Sequence, residues 1–195
     1  MPCKSYVTRF LCVSLLLLSS LAQADVCVWR DPERTMVRLF PEAKDYKTEI
    51  YKLNSDQVAR IEALVGEPLH SSEKEEYNIY AITADGRTLG WVLALAGTGE
   101  YGVIETVVGL NADHSIRGVY LQRVRERKRK ALKSDNFLGQ FRGKTQKDTL
   151  AIKPIADAEK ASNEITRLVN KMLAYEAVLN TGSKSNPNTL PTKGE

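Results

Sequence analysis

The feature that most constrains the fold is a series of β-prone segments joined by links too short to hold a helix. Tyr77 to Thr83 alternates apolar and polar residues, and the Asp85-Gly86 pair that follows is a strong hairpin signal. Short links join antiparallel neighbours, because parallel strands need a long crossover. We therefore predict a four-stranded antiparallel β-meander, with strands at residues 77–83, 88–96, 103–110 and 116–124.

Apolar residues at helical spacing predict helices both before and after this meander in the sequence. Residues 54–65 have one apolar face, with Asn54 or Ser55 as a cap and Gly66 at the end. A shorter helix is predicted at residues 33–40. A longer apolar stripe begins after Pro154, at Ile155, Ala158, Ala161, Ile165, Leu168, Met172 and Tyr175. We expect an α+β fold with helices covering one face of the sheet and a long C-terminal helix.

The first 24 residues have the pattern of a cleaved signal peptide. Lys4 and Arg9 precede an apolar run, and Ala22-Gln23-Ala24 forms the small-x-small cleavage pattern. An uncleaved anchor is the alternative, but the run is shorter than the ~20 residues that a span requires. We expect a periplasmic or other extracytoplasmic location.

The remaining chain divides into three parts by composition. Residues 25–76 are predicted as an N-terminal helical segment and residues 77–180 as the main domain. Residues 181–195 are rich in Gly, Ser, Asn, Pro and Lys, which predicts a disordered tail. Cys27 is the only cysteine after the leader, so no intrachain disulfide is expected once the leader is removed.

Charge and motifs exclude several classes of function. Removal of the leader lowers the formal net charge from +4 to +2, which is not the balance of a nucleic-acid-binding protein. The sequence contains no recognisable catalytic triad, Walker loop or dinucleotide fingerprint. His70 and His114 are far apart and lack metal-ligand spacing, so b-type haem binding is only a weak alternative.

Three segments could take part in binding. The glycine-rich turn from Gly97 to Gly102 could bring backbone close to a flat ligand, with Tyr101 able to stack on it. The start of the C-terminal helix could hold a phosphate near Ser162, Asn163 and Thr166. Arg123 to Lys133 is a dense basic segment, which is either a solvated surface or a site for an anionic partner.

The order of these motifs resembles a known family. The glycine turn leads to Val108-Gly109-Leu110, then to Gly118-Val119, and an FLxQFxGK stretch follows at residues 137–144 before an Asp-led helix. This arrangement resembles the FMN-binding domain of the G subunit of Rnf electron-transport complexes. The C subunit of sodium-pumping NADH:quinone reductase contains the same domain. The resemblance covers about residues 77–179.

The family's flavin-attachment motif is degenerate in this chain. The family pattern D-x-x-S/T-G-A-T places Asp157 at the aspartate, but Lys160, Ala161, Ser162 and Asn163 occupy the four last positions. Asn163 stands where the family has the acceptor threonine, and an amide cannot form the phosphoester. The resemblance therefore implies noncovalent FMN. The implied cofactor-binding residues are Gly99, Tyr101, Gly102, Ser162, Asn163 and Thr166.

The resemblance also implies a role. An exported flavoprotein of this kind relays electrons between membrane-bound or cytochrome-type redox proteins, with peripheral membrane association and no nucleic-acid partner. We expect a redox carrier or accessory subunit of an electron-transport system more than a stand-alone enzyme. The alternative is a cofactor-free assembly module of the same fold, which docks an acidic partner through the basic segment.

Overall fold

A computed structural model describes residues 32–182 of the 195-residue chain. The predicted signal peptide, Cys27 and residues 183–195 of the predicted tail lie outside the described residues. Within residues 32–182, no helix is both long enough and apolar enough to cross a bilayer.

The centre of the fold is a five-stranded antiparallel sheet whose strands follow their order in the sequence. The four predicted strands are confirmed to within a few residues. A fifth strand precedes them and pairs with Glu76–Ala84 along its whole length. The strands are β1 (Asp45–Lys52), β2 (Glu76–Ala84), β3 (Arg87–Thr98), β4 (Val103–Asn111) and β5 (Ile116–Val124).

Two helices cover one face of the sheet. Helix α2 (Ser55–Val65) is capped at its start by Asn54, whose side chain accepts the Gln57 N–H. Gly66, in a left-handed conformation, caps its end. The long helix α5 (Glu159–Gly182) packs on α2, β3 and β4. Their apolar faces and the inner strand residues form the main core, with the rings of Tyr77 and Tyr175 stacked at 4.1 Å.

A short helix, α1 (Pro32–Leu39), lies on the opposite face of the sheet. Met36 and Phe40 are buried there in a second, smaller core against β2, β3 and β4. A Cβ on Gly109 would lie 3.2 Å from the Phe40 ring, so glycine lets α1 pack closely on β4. The α+β class, the meander and the long C-terminal helix are confirmed, and α1 adds a layer on the second face.

The C-terminal helix begins at Glu159 and not at Ile155, where the apolar stripe begins. Asp157 has a φ of +58°, which interrupts the helix. The Ser162 hydroxyl accepts the Ile155 N–H at 3.0 Å and donates to the Ala158 carbonyl at 2.9 Å, so one side chain stabilises the turn. Ile155 still packs on the core from outside the helix.

Between β5 and α5 the chain forms short helices that the sequence did not predict. They are α3 (Arg129–Leu132), α4 (Asp135–Leu138) and a 3-10 turn at Gly139–Phe141. Leu132, Phe137 and Phe141 are fully buried and anchor this segment beside β5. The basic segment therefore continues from β5 into α3 and is held in place by apolar contacts.

Candidate functional site

The structure brings the glycine-rich turn between β3 and β4 against the first turns of α5. The Glu164 carboxylate on α5 accepts the Thr98 N–H, with an N···O distance of 3.3 Å. A Cβ on Gly97 would lie 1.9 Å from the Glu164 Oε1 atom. Glycine at position 97 therefore leaves room for the Glu164 carboxylate beside the turn.

A second carboxylate occupies the other side of the same turn. Glu126 is only 8% exposed and accepts the Tyr101 N–H at 3.1 Å. A Cβ on Gly99 would lie 2.1 Å from the Glu126 Oε1 atom. In this conformation, both glycines make room for carboxylates of the protein itself.

A cavity of about 490 Å³ lies between the end of β3, α5 and the 3-10 turn at Ser71–Glu73. Its volume is within the range of small-molecule sites in proteins. Backbone and small side chains form one wall, while acidic and basic side chains form the other. The lining residues are His70, Ser72, Glu73, Leu95, Ala96, Gly97, Thr98, Val103, Glu164 and Arg167.

The charged wall is an extended network of ion pairs. The Arg167 guanidinium contacts Glu164 at 2.7 Å and Glu67 at 2.5 Å. The hydrogen bonds that Arg167 donates to Glu164 raise the pKa of Arg167 above its ordinary value, so this side chain stays charged. Burial raises the pKa of Glu67, but hydrogen bonding and charge from Arg167 and Lys171 outweigh it, and the pKa is lowered.

Three of the six predicted cofactor-binding residues lie in the glycine-rich turn. Tyr101 is 44% exposed, and the Arg127 guanidinium carbon lies 4.7 Å from the centre of its ring. Gly102 has a φ of +140°, which favours glycine. Gly99 faces Glu126. The structure therefore places an accessible aromatic ring on this turn, with an arginine already stacked on one face.

The other three predicted residues lie on the first turns of α5. Ser162 is 1% exposed, and its hydroxyl both accepts and donates a hydrogen bond within the protein. The Thr166 hydroxyl donates to the Ser162 carbonyl at 2.9 Å. Asn163 is exposed. Both hydroxyls near the expected attachment position are thus used in local structure.

None of the six predicted residues lines the cavity, although their neighbours do. Gly97, Thr98 and Val103 flank the predicted turn residues, and Glu164 and Arg167 flank those on α5. The sequence analysis missed Glu126 and Glu164. In the sequence, Glu126 is the one acidic residue of the basic segment, and Glu164 directly follows Asn163. Neither position indicates a contact with the glycine-rich turn.

The basic segment divides between two sides of the molecule. Arg127 stacks on Tyr101, and Lys128 lies 3.3 Å from Asp157, the aspartate that precedes α5. These two contacts tie the segment to the same end of the fold as the glycine-rich turn. Lys133, at the other end of the segment, lines a cavity against α1 on the second face of the sheet.

The two histidines lie in different surroundings. His70 lines the cavity, whereas the His114 Nδ1 atom is 2.5 Å from Glu176 and its ring stacks on Trp91 at 4.8 Å. Within residues 32–182, no three His, Cys, Asp or Glu side chains are grouped so that they could hold a metal ion.

Comparisons with known proteins address the fold. No family model matches the sequence, and no curated protein matches it. Among solved structures, the NqrC protein of Shewanella oneidensis superposes with a TM-score of 0.51, over 81% of this chain and 92% of NqrC. The two proteins share a fold. Their sequence identity over the match is 11%, so the likeness to NqrC concerns the fold alone.

Proposed function

We propose that this protein is an exported FMN-binding electron-transfer domain that holds its flavin noncovalently. The observation that carries the proposal is the cavity of about 490 Å³ between the glycine-rich turn and α5. The fold shared with NqrC and the motif resemblance support it from two independent directions. Its redox partners would be membrane-bound or cytochrome-type proteins outside the cytoplasm.

The residues around the cavity fit a flat ring system. Ala96, Gly97 and Thr98 form one wall of the cavity with backbone and small side chains, and a planar group would lie along this wall beside the Glu164 carboxylate. Tyr101 supplies an exposed ring on the turn that follows this wall. Because flavin rings are flat and mostly apolar, such a wall is a suitable contact surface.

The FMN phosphate would be placed by cations and not by a covalent bond. Arg127 and Lys128 lie at the glycine-rich turn and at the start of α5, where they supply positive charge. Asn163 lacks a hydroxyl, and the hydroxyls of Ser162 and Thr166 are held by hydrogen bonds to the protein. These contacts favour reversible binding.

When bound, FMN would supply the capacity to accept and donate electrons, and the protein would set its potential and access. Glu126 and Glu164 place two carboxylates on the backbone of the turn. Negative charge at this position opposes the arrival of further negative charge. These glutamates would therefore lower the reduction potential of a flavin bound beside them.

An FMN titration followed by flavin fluorescence tests the proposed pocket. Loss of an aromatic contact costs about 1 kcal/mol, so Tyr101→Ala should weaken FMN binding about five- to ten-fold. Tyr120→Ala is a matched control, because Tyr120 also pairs with an arginine, Arg38 at 5.0 Å, on the opposite face of the sheet. Equal affinity of the Tyr101→Ala variant and the wild type would refute the contact assigned to Tyr101 in flavin binding.

A cofactor-free docking module is the second candidate. It is favoured by the two carboxylates that already occupy the N–H groups of the glycine-rich turn. In this case an acidic protein would dock on the cations at Arg127 to Lys130. Neutralising all four should abolish partner capture while the thermal unfolding midpoint stays unchanged, and wild-type protein should show no FMN binding.

A further inference from the structure

Helix α1 leaves a groove where it packs across β4 and β5. The groove consists of two cavities of about 450 Å³ and 380 Å³, on either side of Arg38 and Tyr120, which line both. The first lies between α1, the start of β4 and the end of β5. The second lies between α1, the start of β5 and the segment that contains α3 and α4.

Positive side chains dominate the walls of this groove. Three of the arginines there have a carboxylate partner: Arg117 with Glu42 at 2.7 Å, Arg142 with Asp135 at 2.8 Å, and Arg123 with Glu105 at 3.5 Å. Within residues 32–182, Arg38 and Lys133 have no carboxylate at ion-pair distance. Arg38 lies over the Tyr120 ring instead, at 5.0 Å from its centre.

Cations from two separate elements converge at Lys133. Arg38 projects from α1 and Lys133 follows α3 directly, and both side chains line the cavity of about 380 Å³. Burial of part of its side chain lowers the pKa of Lys133, and the positive charges of Arg129 and Arg38 lower it further. Like charges held together in this way repel one another, and a bound anion would remove that repulsion.

We propose that Arg38 and Lys133, which line the same cavity, form a binding site for the phosphate group of a small anionic ligand, in the groove between α1 and β5. Phosphate suits converging cations better than carboxylate, because it carries up to two charges and more acceptor oxygens. The cavity of about 380 Å³ next to Lys133 leaves room for the rest of such a ligand.

This site is separate from the proposed flavin site. The cavity beside the glycine-rich turn is lined by α5, which covers one face of the sheet, whereas the groove is lined by α1 on the other. The basic segment serves both: Arg127 and Lys128 contact the glycine-rich turn and the residues before α5, while Lys133 lines the groove beside α1. The phosphate site therefore does not depend on the proposed function.

Calorimetric titration of the full chain with inorganic phosphate, at ionic strength held constant with sodium chloride, tests the proposal. We expect saturable binding that weakens at least about ten-fold in Arg38→Ala and in Lys133→Ala, and that is unchanged in Lys130→Ala. Lys130 is an exposed member of the same basic segment and serves as the control. No saturable binding, or equal weakening in all three variants, would overturn the proposal.

Vesicles distinguish a lipid headgroup from a soluble ligand. Cosedimentation with phosphatidylglycerol vesicles but not with phosphatidylcholine vesicles, lost in Lys133→Ala, would identify the ligand as an anionic headgroup. Phosphate binding without cosedimentation would identify a soluble phosphate compound.

A further readout is independent of any variant's folding. Phosphate should raise the pKa of the Lys133 amine, measured by NMR of the labelled side chain, and an unchanged pKa at saturating phosphate would overturn the proposal. Lys133→Ala should bind FMN like the wild type, so failure of this site and failure of the flavin site remain distinguishable.

Discussion

Replacement of the buried Lys171 by methionine should destabilise the protein strongly. Lys171 is 0% exposed, and its amine lies 3.0 Å from both carboxylate oxygens of Glu73 and 3.4 Å from Glu67. Glu73 also accepts the His70 N–H at 2.8 Å and lines the cavity beside the glycine-rich turn. The Lys171 amine therefore compensates the negative charge of Glu73 in the wall of the candidate site.

The expected loss in the free energy of unfolding depends on the partners that the two carboxylates keep after the Lys171 amine is removed. Methionine fills a similar volume, so the main loss is the partner of a carboxylate whose side chain is only 15% exposed. Breaking a buried ion pair costs about 3–5 kcal/mol. Glu73 keeps one backbone hydrogen bond and Glu67 keeps Arg167, so we expect about 3 kcal/mol, or roughly 6–12 °C in the unfolding midpoint.

Urea unfolding followed by circular dichroism provides the measurement. The double variant Lys171→Met with Glu73→Gln should recover at least half of the loss, because it removes the unpaired charge. Lys74→Met is the control: its ion pair with Glu62, at 2.8 Å, is partly exposed and should contribute less than about 1 kcal/mol. If Lys171→Met and Lys74→Met cost the same, the buried charge network does not stabilise the fold as argued.

Three further predictions concern other parts of the fold. A Cβ on Gly90 would lie 1.9 Å from a backbone oxygen of β4, so Gly90→Ala should cost more than about 3 kcal/mol in thermal unfolding. Gly139→Ala, with its nearest atom at 3.6 Å, should change the midpoint little. Hydrogen bonds from Thr145 lower the pKa of Asp148, so they stabilise the fold at neutral pH and lose that effect as pH falls through this pKa. Thr145→Val should raise the Asp148 pKa in a carboxyl NMR titration, and an unchanged pKa would contradict this origin. In flavin-loaded protein, Glu164→Gln should raise the reduction potential measured by spectroelectrochemistry, whereas a lower potential would refute the electrostatic role of Glu164.

The sequence predicted the elements whose signals are local. Alternation and turn residues located the four meander strands, and Asn54 and Gly66 marked the ends of α2. Strand β1 was missed because charged and polar residues predominate in its sequence, DYKTEIYK, as suits the edge of a sheet. The apolar stripe begins at Ile155, but α5 begins only at Glu159. The left-handed conformation of Asp157 and the hydrogen bond from the Ile155 N–H to the Ser162 hydroxyl set this start, and neither is visible in the stripe.

The candidate site was less accessible to sequence reasoning. The sequence indicated the glycine-rich turn and the start of α5 as candidate binding segments, and in the structure the two are in contact through Thr98 and Glu164. Glu126 and Glu164 bind the backbone of the turn although they are far from it in sequence. Glu126 is 25 positions from Tyr101, and Glu164 is 66 positions from Thr98. Such contacts leave no periodic pattern, so only the folded chain shows which side chains the glycines accommodate.

The most direct test of the proposed function is acid precipitation of protein purified from an exporting host and saturated with FMN. The visible spectrum before precipitation reports bound flavin, and the spectra of supernatant and pellet report how it was held. We predict a bound flavin spectrum and complete release of the yellow colour into the supernatant. Colour that stays in the pellet would contradict noncovalent binding, and the absence of any bound flavin at high FMN would contradict the flavin function itself.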